Sequence, residues 1–310
     1  MAYRVLSAAQ VDGFIARGWT RLQEAFPRAA ALAVQDYLWE RVAERGPRRA
    51  DPATWSEPMV HIKESYRDDV FTACTTERLA GAIEDLVGRG RWAQRDRPAA
   101  WGWWPVNFAL GADRPWDVPT GGWHWDGQHF RHFVDAPDQG LLLLCVFSDV
   151  RPQGGGTLVA EGSHQVVADF LRGHPEGLDL AEAIQLCNRR HPWLTDLTGA
   201  RGPVDPAAPV YAERPAATAV GGRVERFMGR DERDAAGRSL RVVETVASAG
   251  DVFLCHPFLY HAASQNHLGV PRFMCNRTTP LRERLRFDRA DPADHSPLEE
   301  SIRRALGPVP

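Results

Sequence analysis

Two residues with metal-binding side chains stand two positions apart in PTGGWHWDGQ, which covers residues 119–128. These residues are His124 and Asp126. In a β-strand, residues i and i+2 point to the same face, so this imidazole and this carboxylate would project together. One further imidazole would complete the two-histidine, one-carboxylate set that is typical of non-haem Fe(II). The spacing alone is a weak signal, because His-x-Asp arises often by chance.

A third ligand has to come from a distant part of the chain. The segment GDVFLCHPFLYH, residues 250–261, offers His256 and His261. They stand five positions apart, so a regular strand would point them to opposite faces. We therefore expect at most one of them to bind a metal, and the spacing does not say which.

The predicted secondary structure of the elements that position these residues changes along the chain. Amphipathic helical patterns predominate in about 1–95, and strand-length apolar pieces separated by Gly, Pro and Asp follow in about 100–167. Mixed helix and loop occupy about 168–240, and strands resume in about 240–282. Strands that return after a long excursion favour a barrel or sandwich over parallel βαβ units. We predict one domain, residues 1–310, in which the 168–240 insertion covers the mouth of the β core.

Composition restricts the class of partner. The 310 residues are 44% hydrophobic and 25% charged, as in an ordinary soluble globular protein. A net charge of −3 gives no field that would recruit nucleic acid or an anionic membrane. No run approaches the roughly 20 apolar residues of a membrane span. Five scattered cysteines without a Cys-x-x-Cys pair predict neither a zinc knot nor a disulfide framework. We expect a cytoplasmic protein that binds a small molecule.

One residue type is almost missing. Of 37 basic residues only Lys63, in HIKES, is a lysine. An arginine-rich composition is consistent with coding bias. The single lysine marks either a place where a compact ammonium is needed or a chance exposed position, and the sequence leaves both open.

Several segments together resemble the phytanoyl-CoA dioxygenase-like family of Fe(II)- and 2-oxoglutarate-dependent oxygenases. They are VDGFIARGW, WHWDG, GGGTLVAEGSHQ and GDVFLCHPFLYHAASQNHLGVPR, and the resemblance covers most of the chain. It implies a mainly β fold with flanking helices, built on a double-stranded β-helix (jelly-roll, cupin-like) core. It also implies Fe(II) as cofactor, with 2-oxoglutarate and O₂ as co-substrates.

The same resemblance implies roles for particular residues. In this family the distal iron histidine is the second of the two, which implies His124, Asp126 and His261 as the metal ligands. An arginine follows it, and here Arg272 stands eleven positions after His261. A permanently charged, bidentate guanidinium suits the distal carboxylate of 2-oxoglutarate. Further polar contacts to the co-substrate are expected from Lys63, Asn107 and Thr157, the lysine because the family often has one upstream of the metal motif.

The reaction outcome is narrowed by Asp126. Halogenating relatives lack the corresponding carboxylate, so its presence predicts hydroxylation of a C–H bond, with release of succinate and CO₂. Desaturation or cyclisation in specialised metabolism uses the same oxidant and stays open. A jelly-roll metal-binding protein that has lost turnover is the alternative outside enzymes. The substrate, an acyl-CoA or another small metabolite, is not encoded in any motif that we recognise.

For the other polar and aromatic residues near the motif, the sequence mainly predicts structural roles. The histidines near the motif, His129, His132 and His164, are expected to be hydrogen-bonded structural groups or groups that support the metal ligands, with contact to the substrate as the alternative. Core packing is predicted for most of the tryptophans around the motif, namely Trp101, Trp103, Trp104, Trp116, Trp123 and Trp125. The arginines of CNRRHPWL and GGRVERFMGR either are solvated or meet an acidic group of the substrate.

Overall fold

A computed structural model describes residues 3–97, 99–205, 210 and 222–307. In chain order the helices and strands are α1 (Ala8–Arg17), β1 (Trp19–Leu22), α2 (Arg28–Ala43), β2 (Met59–Tyr66), α3 (Glu77–Val87), β3 (Trp101–Asn107), β4 (Leu142–Val146), β5 (Leu158–Glu161), α4 (Ser163–Arg172), α5 (Leu180–Arg190), α6 (Pro192–Thr198), α7 (Arg223–Met228), β6 (Glu232–Arg233), β7 (Ser239–Glu244), β8 (Val252–Cys255), β9 (His261–Ala262), β10 (Met274–Thr278) and α8 (Pro297–Leu306). None of the described helices is long and apolar enough to cross a lipid bilayer.

Two four-stranded antiparallel sheets form the β core. The first has the strand order β1-β8-β4-β10, and the second has the order β6-β7-β5-β9. The two-stranded β2-β3 sheet continues the first sheet through a bridge between Asn107 and Arg272, whose backbone groups exchange hydrogen bonds of 3.1 and 2.9 Å. The strands of each sheet come from distant parts of the chain, as the jelly-roll expectation requires.

Strand β4 shows how the first sheet is buried on both faces. Successive side chains of a strand alternate between faces. Leu142 and Leu144 belong to a cluster that includes Val159 of the second sheet, so they fill the space between the sheets. Leu143 and Cys145 belong instead to the large cluster that contains the helical residues. This double burial explains the uninterrupted apolar run GLLLLCVF.

The N-terminal helix is fixed at both ends. Ser7 caps α1 in a capping box with Gln10. The helix ends at Gly18, whose φ of 88° lies in the left-handed region that glycine adopts readily. A Cβ at that position would lie 2.5 Å from Nδ1 of His164, so glycine is required by space as well as by conformation. Strand β1 therefore leaves α1 in the direction that pairs it with β8.

Two expectations concern the organisation of the chain. The part predicted to be helical, about 1–95, also supplies strands β1 and β2, which were too short or too irregular to stand out. The insertion at about 168–240 was expected to cover the mouth of the core. Residues 206–209 and 211–221 lie outside the described residues, and none of the insertion's described residues lines the large cavity of the core. The lid over the core therefore stays a prediction.

Candidate metal centre

His124, Asp126 and His261 meet at one point between the two sheets. Each of them offers a ligand atom, and these atoms lie within 4.8 Å of one another. Asp126 Oδ1 lies 3.4 Å from His124 Nε2 and 3.7 Å from His261 Nε2. The two histidines are held side by side by their backbones, which exchange hydrogen bonds of 3.1 and 2.8 Å. The three residues that the sequence singled out therefore form one cluster.

The backbone fixes which ring nitrogen of each histidine carries the proton. Nδ1 of His124 lies 2.7 Å from the carbonyl oxygen of Gly122, and Nδ1 of His261 lies 3.1 Å from that of Leu259. A carbonyl only accepts, so each Nδ1 donates and each Nε2 keeps its lone pair. This assignment follows from the acceptors, since hydrogens themselves are placed by inference.

The donor set fits a divalent metal ion. Nε2 of His261 is buried and has no hydrogen-bond partner among the described residues. An unpaired buried acceptor destabilises a fold by about 1–3 kcal/mol, and a metal would satisfy it. Two neutral imidazole nitrogens and one carboxylate oxygen are the ligands of the Fe(II) triad.

The protonation states at the centre suit metal binding. Burial raises the pKa of Asp126, but His261, His124 and a hydrogen bond from Asn276 outweigh burial, so the pKa lies below its ordinary value. Burial and the neighbouring His124 lower the pKa of His261 to about 4, although Asp126 acts in the opposite direction. At neutral pH the carboxylate is charged and His261 is neutral, which are the forms that coordinate metals.

A cavity of about 1480 Å³ opens beside the three residues. Its floor is the inner face of the first sheet, where Leu144, Met274 and Asn276 lie. One wall is the β2-β3 sheet, from which alternate residues of β2 line the cavity: His61, Lys63 and Ser65. Small-molecule sites usually occupy about 300–1000 Å³, so this volume accommodates a co-substrate and a substrate together.

Arg272 and Thr157 both lie in the cavity wall. Arg272 is only 3% exposed, and its Nε donates to the carbonyl of Gly155 at 2.9 Å. That bond and the backbone bridge to Asn107 hold the guanidinium at the wall. Thr157, 7% exposed, lies with its Oγ1 3.5 Å from Met274 Sδ. The structure therefore brings both predicted co-substrate contacts to the same cavity as the metal ligands.

Lys63 and Asn107, the other two expected contacts, differ in placement. Lys63 lies exposed on β2 and lines the cavity. Asn107 is fully buried and does not line it. Its Nδ2 donates to Ser264 O at 2.9 Å, and its Oδ1 accepts from Leu110 N at 3.0 Å. We therefore assign the Asn107 side chain to loop positioning and leave it out of the co-substrate site.

Two cavity residues were missed by sequence reasoning. Asn276 hydrogen-bonds the carboxylate of Asp126. Asn276 lies on β10, four positions after Arg272, which precedes that strand. In extended backbone an even spacing points two side chains to the same face, and the sequence analysis could have used this signal. Gln139 is 4% exposed and lines the cavity just before β4. No motif surrounds it, so the sequence offered no signal.

The other histidines that the sequence analysis considered do not belong to the metal cluster. His132 accepts from Trp125 Nε1 at 3.1 Å, and its Nε2 lies 2.9 Å from the carbonyl oxygen of Gly127, so it braces the metal motif. His256 is fully buried beside His164, with ring centroids 4.9 Å apart, and is not a member of the metal cluster. His129 lies in the cavity lining rather than in a structural contact.

The tryptophans around the motif mostly pack in the core. Trp101, Trp104, Trp123 and Trp125 are buried, as predicted. Trp103 is 39% exposed and lines the cavity, with its ring 5.8 Å from that of His61. Its φ of 60° is unusual for a bulky residue and indicates local backbone strain at the cavity.

Two arginines of the insertion contact backbone carbonyls and do not line the cavity. Arg189 donates to the carbonyls of Gly202 and Pro203 at 2.8 and 2.7 Å. Arg223 donates to Val118 O at 2.7 Å and to Leu197 O at 2.6 Å. Both side chains tie loops together, and neither lines the cavity.

A family model described as phytanoyl-CoA dioxygenase (PhyH) matches residues 28–274. No curated protein matches the chain. Similar solved structures include the epimerase SnoN in complex with Fe3+, alpha ketoglutarate and nogalamycin RO, at 16% identity, 86% coverage of this chain, 80% of that chain and a TM-score of 0.45. The carbocyclase SnoK from nogalamycin biosynthesis is 13% identical, with coverages of 87% and 82% and a TM-score of 0.46. HygX from Streptomyces hygroscopicus with nickel and 2-oxoglutarate bound is 13% identical, with coverages of 88% and 86% and a TM-score of 0.42. These likenesses are too distant to support any argument about this chain.

Proposed function

The chain belongs to the phytanoyl-CoA dioxygenase family and is therefore an Fe(II)/2-oxoglutarate-dependent oxygenase; we propose that it hydroxylates a C–H bond of a small organic molecule. The observation that carries the proposal is the meeting of His124, Asp126 and His261 beside one large cavity. When bound, the iron supplies the oxidising power, while 2-oxoglutarate and O₂ are consumed and succinate and CO₂ are released.

We assign the iron to His124, Asp126 and His261. The unpaired Nε2 of His261 supports this assignment, because a buried acceptor without a partner is costly unless an ion occupies the site. The carbonyls of Gly122 and Leu259 support it too, since they orient both rings with Nε2 toward the carboxylate. Asn276 contributes by holding Asp126 in place.

We assign the distal carboxylate of 2-oxoglutarate to Arg272. A carboxylate that enters a buried site needs a charged partner, and a guanidinium is the side chain best suited to bind it through two parallel hydrogen bonds. Arg272 is buried in the wall of the cavity that contains the metal cluster. Thr157 and Lys63 line the same cavity and are further candidates for contact with the co-substrate.

Hydroxylation is proposed over other outcomes because Asp126 occupies the position that halogenating relatives leave without a carboxylate. Desaturation and ring closure remain the alternative outcomes for the same site. Product mass separates them, because hydroxylation adds one oxygen atom to the substrate, whereas desaturation or ring closure removes two hydrogen atoms. A catalytically silent protein would release no succinate.

The test is succinate release by the purified protein supplied with Fe(II), 2-oxoglutarate and O₂. We expect turnover in the native protein and its loss in Asp126→Ala, since two imidazoles alone do not complete the iron site. Asp113→Ala is the matched control, because this exposed carboxylate also lines the cavity but pairs with Arg114 at 3.5 Å. Unaltered succinate release in Asp126→Ala would remove Asp126 from the ligand set. Absence of release from the native protein would favour the silent alternative.

A further inference from the structure

A buried amide in the cavity wall has no protein partner. Gln139 is 4% exposed, and neither its Oε1 nor its Nε2 has a hydrogen-bond partner in the part of the chain that the structure describes. The side chain lines the cavity. Buried polar groups are almost always hydrogen-bonded, so an amide with both ends unpaired indicates that something else binds there.

A second amide, half-buried, lies on β10, the strand that pairs with β4. Asn276 uses its amide to hold Asp126, and its Oδ1 is buried without a partner among the described residues. Asn276 pairs with Leu144 across the β10-β4 ladder, and Gly140 donates to Thr279 O at 2.8 Å. Gln139 and Asn276 therefore border the same cavity from adjacent chain segments, with Asn276 nearer the metal ligands.

Four cations of the cavity lining have no acidic partner among the described residues. They are Lys63, Arg67, Arg97 and Arg277, none of which forms an ion pair within the described ranges. Most other described arginines form ion pairs or hydrogen bonds, as Arg114 does with Asp113. The lining thus offers positive charge that no carboxylate of the described residues neutralises on contact.

The carboxylates of the lining do not cancel this charge. Asp117 accepts hydrogen bonds from the backbone N–H groups of Val118 and Val224 at 2.8 and 3.1 Å. Asp126 belongs to the metal cluster. Asp117 and Asp138 are the lining carboxylates without an ion pair among the described residues, against four cations.

Resting on the proposed function, we propose that the substrate is a polar anion, with hydroxyl or amide groups bound by Gln139 and Asn276 and a carboxylate or phosphate facing Arg67 and Arg97. An amide offers one acceptor and two donors, so it recognises groups that both donate and accept. An apolar chain in this place would leave the Gln139 amide and the Oδ1 of Asn276 unpaired, and sites with unpaired polar groups discriminate strongly against such ligands. The cavity therefore selects a hydroxylated or amide-bearing acid over a hydrocarbon chain.

Binding is measured by calorimetry on protein loaded with Ni(II) and 2-oxoglutarate, which keeps the site filled without turnover. Four probes separate the chemistry: gluconate and glucose 6-phosphate are hydroxylated anions, glucose is their neutral counterpart, and dodecanoate is an anion with an apolar chain. We expect gluconate or glucose 6-phosphate to bind at least about tenfold more tightly than both glucose and dodecanoate. The stronger of the two anions identifies the acidic group.

The variant that tests the amide is Gln139→Leu. Replacing an unpaired buried amide with an apolar side chain of similar size removes a desolvation cost, so the melting temperature of the ligand-free protein should not fall. Binding of the preferred anion should weaken at least about tenfold. A purely structural glutamine would give the opposite result, with lower stability and unchanged binding. Gln165→Leu is the control, since Gln165 lies on α4 outside the cavity lining.

The outcomes separate this inference from the proposed function. Failure of the native protein to bind 2-oxoglutarate in the presence of Ni(II) would contradict the proposed function. Normal 2-oxoglutarate binding with no preference for the hydroxylated anions, including no binding of any probe, would contradict this inference alone. Tighter binding of dodecanoate, or unchanged affinity in Gln139→Leu, would contradict it as well.

Discussion

At the scale of single residues, the metal cluster uses the same local device twice. Each histidine donates from Nδ1 to the carbonyl oxygen two positions before it, Gly122 for His124 and Leu259 for His261. The device needs only local backbone geometry, so it works in two segments that are far apart in sequence. What brings the segments together is the backbone bridge between the histidines themselves. Ring orientation is local, and only ring proximity depends on the fold.

The residue that we assign to 2-oxoglutarate gives a prediction at this scale. Arg272→Ala should raise the KM for 2-oxoglutarate at least about tenfold, because a charged hydrogen-bonded partner contributes roughly 1.5–3 kcal/mol. Arg272→Lys should recover part of the loss, since an ammonium keeps the charge without the bidentate geometry. The measurement is succinate release against 2-oxoglutarate concentration. An unchanged KM in both variants would mean that the carboxylate binds elsewhere.

At the scale of elements, the site depends on strands that the sequence predicted unevenly. The alternation argument found His124 and Asp126, although a single bridge at His124 replaces the expected strand there. Strand β1 has four residues, too few to show a period, and β2 is interrupted by an irregularity between Ile62 and Ser65. In the sequence alone, a four-residue strand and a strand with a β-bulge cannot be distinguished from loops. They become recognisable only when the partner strand is known.

The residues that line the cavity could not be predicted from the sequence alone, because the strands that bring them together are distant in the chain. His261 and Arg272 could be assigned only through resemblance to a family, because the two histidines of that segment were equivalent by spacing. Gln139 lies in a loop and becomes a candidate only because β10 and β4 enclose it. Residues in motifs are predictable from the sequence, whereas residues that line a cavity by tertiary arrangement are not.

The junction between α1 and β1 gives a prediction for an element. Gly18→Ala should lower the free energy of unfolding by about 1–3 kcal/mol, because alanine is strained at φ 88° and its Cβ would contact the ring of His164. Gly90→Ala is the matched control, with φ 74° and nothing within 4 Å of the added Cβ. Denaturant unfolding should show a larger loss for Gly18→Ala. Equal losses would mean that backbone strain accounts for the whole effect.

At the scale of the whole molecule, a pair of fully buried histidines packs where α1, α4 and the end of β8 meet. Nε2 of His164 lies 3.2 Å from the carbonyl oxygen of Ile15, and the backbone N–H of His256 donates to Gly18 O at 2.7 Å. Burial lowers the pKa of His164 to about 4, despite the opposing bond to Ile15. Burial, followed by the neighbouring His164, lowers the pKa of His256 well below its ordinary value. Both rings are therefore neutral in the folded protein near neutral pH.

This pair makes the stability of the whole protein depend on pH. Histidine in the unfolded chain has a pKa of about 6.5, so below that pH the unfolded state binds protons that the folded state does not. Stability should therefore fall as the pH drops from about 6.5 toward the folded pKa of about 4 for His164. The slope approaches about 1.4 kcal/mol per pH unit for each histidine.

Urea unfolding of the metal-free protein between pH 7 and pH 5 measures this slope. His164→Asn should flatten the slope by the contribution of one histidine, whatever its effect on stability at pH 7. His129→Asn is the control, because His129 lies exposed in the cavity lining. The same slope in His164→Asn and in the native protein would show that His164 titrates normally when folded.

The position of Lys63 also has a practical consequence. The sequence contains a single lysine, and this residue lies in the wall of the cavity. An amine-selective acylating dye therefore has one side chain to react with, while the five buried cysteines resist thiol reagents. After the terminal amine is accounted for by peptide mapping, the native chain carries its own attachment point for a reporter of ligand occupancy, and no engineered residue is required.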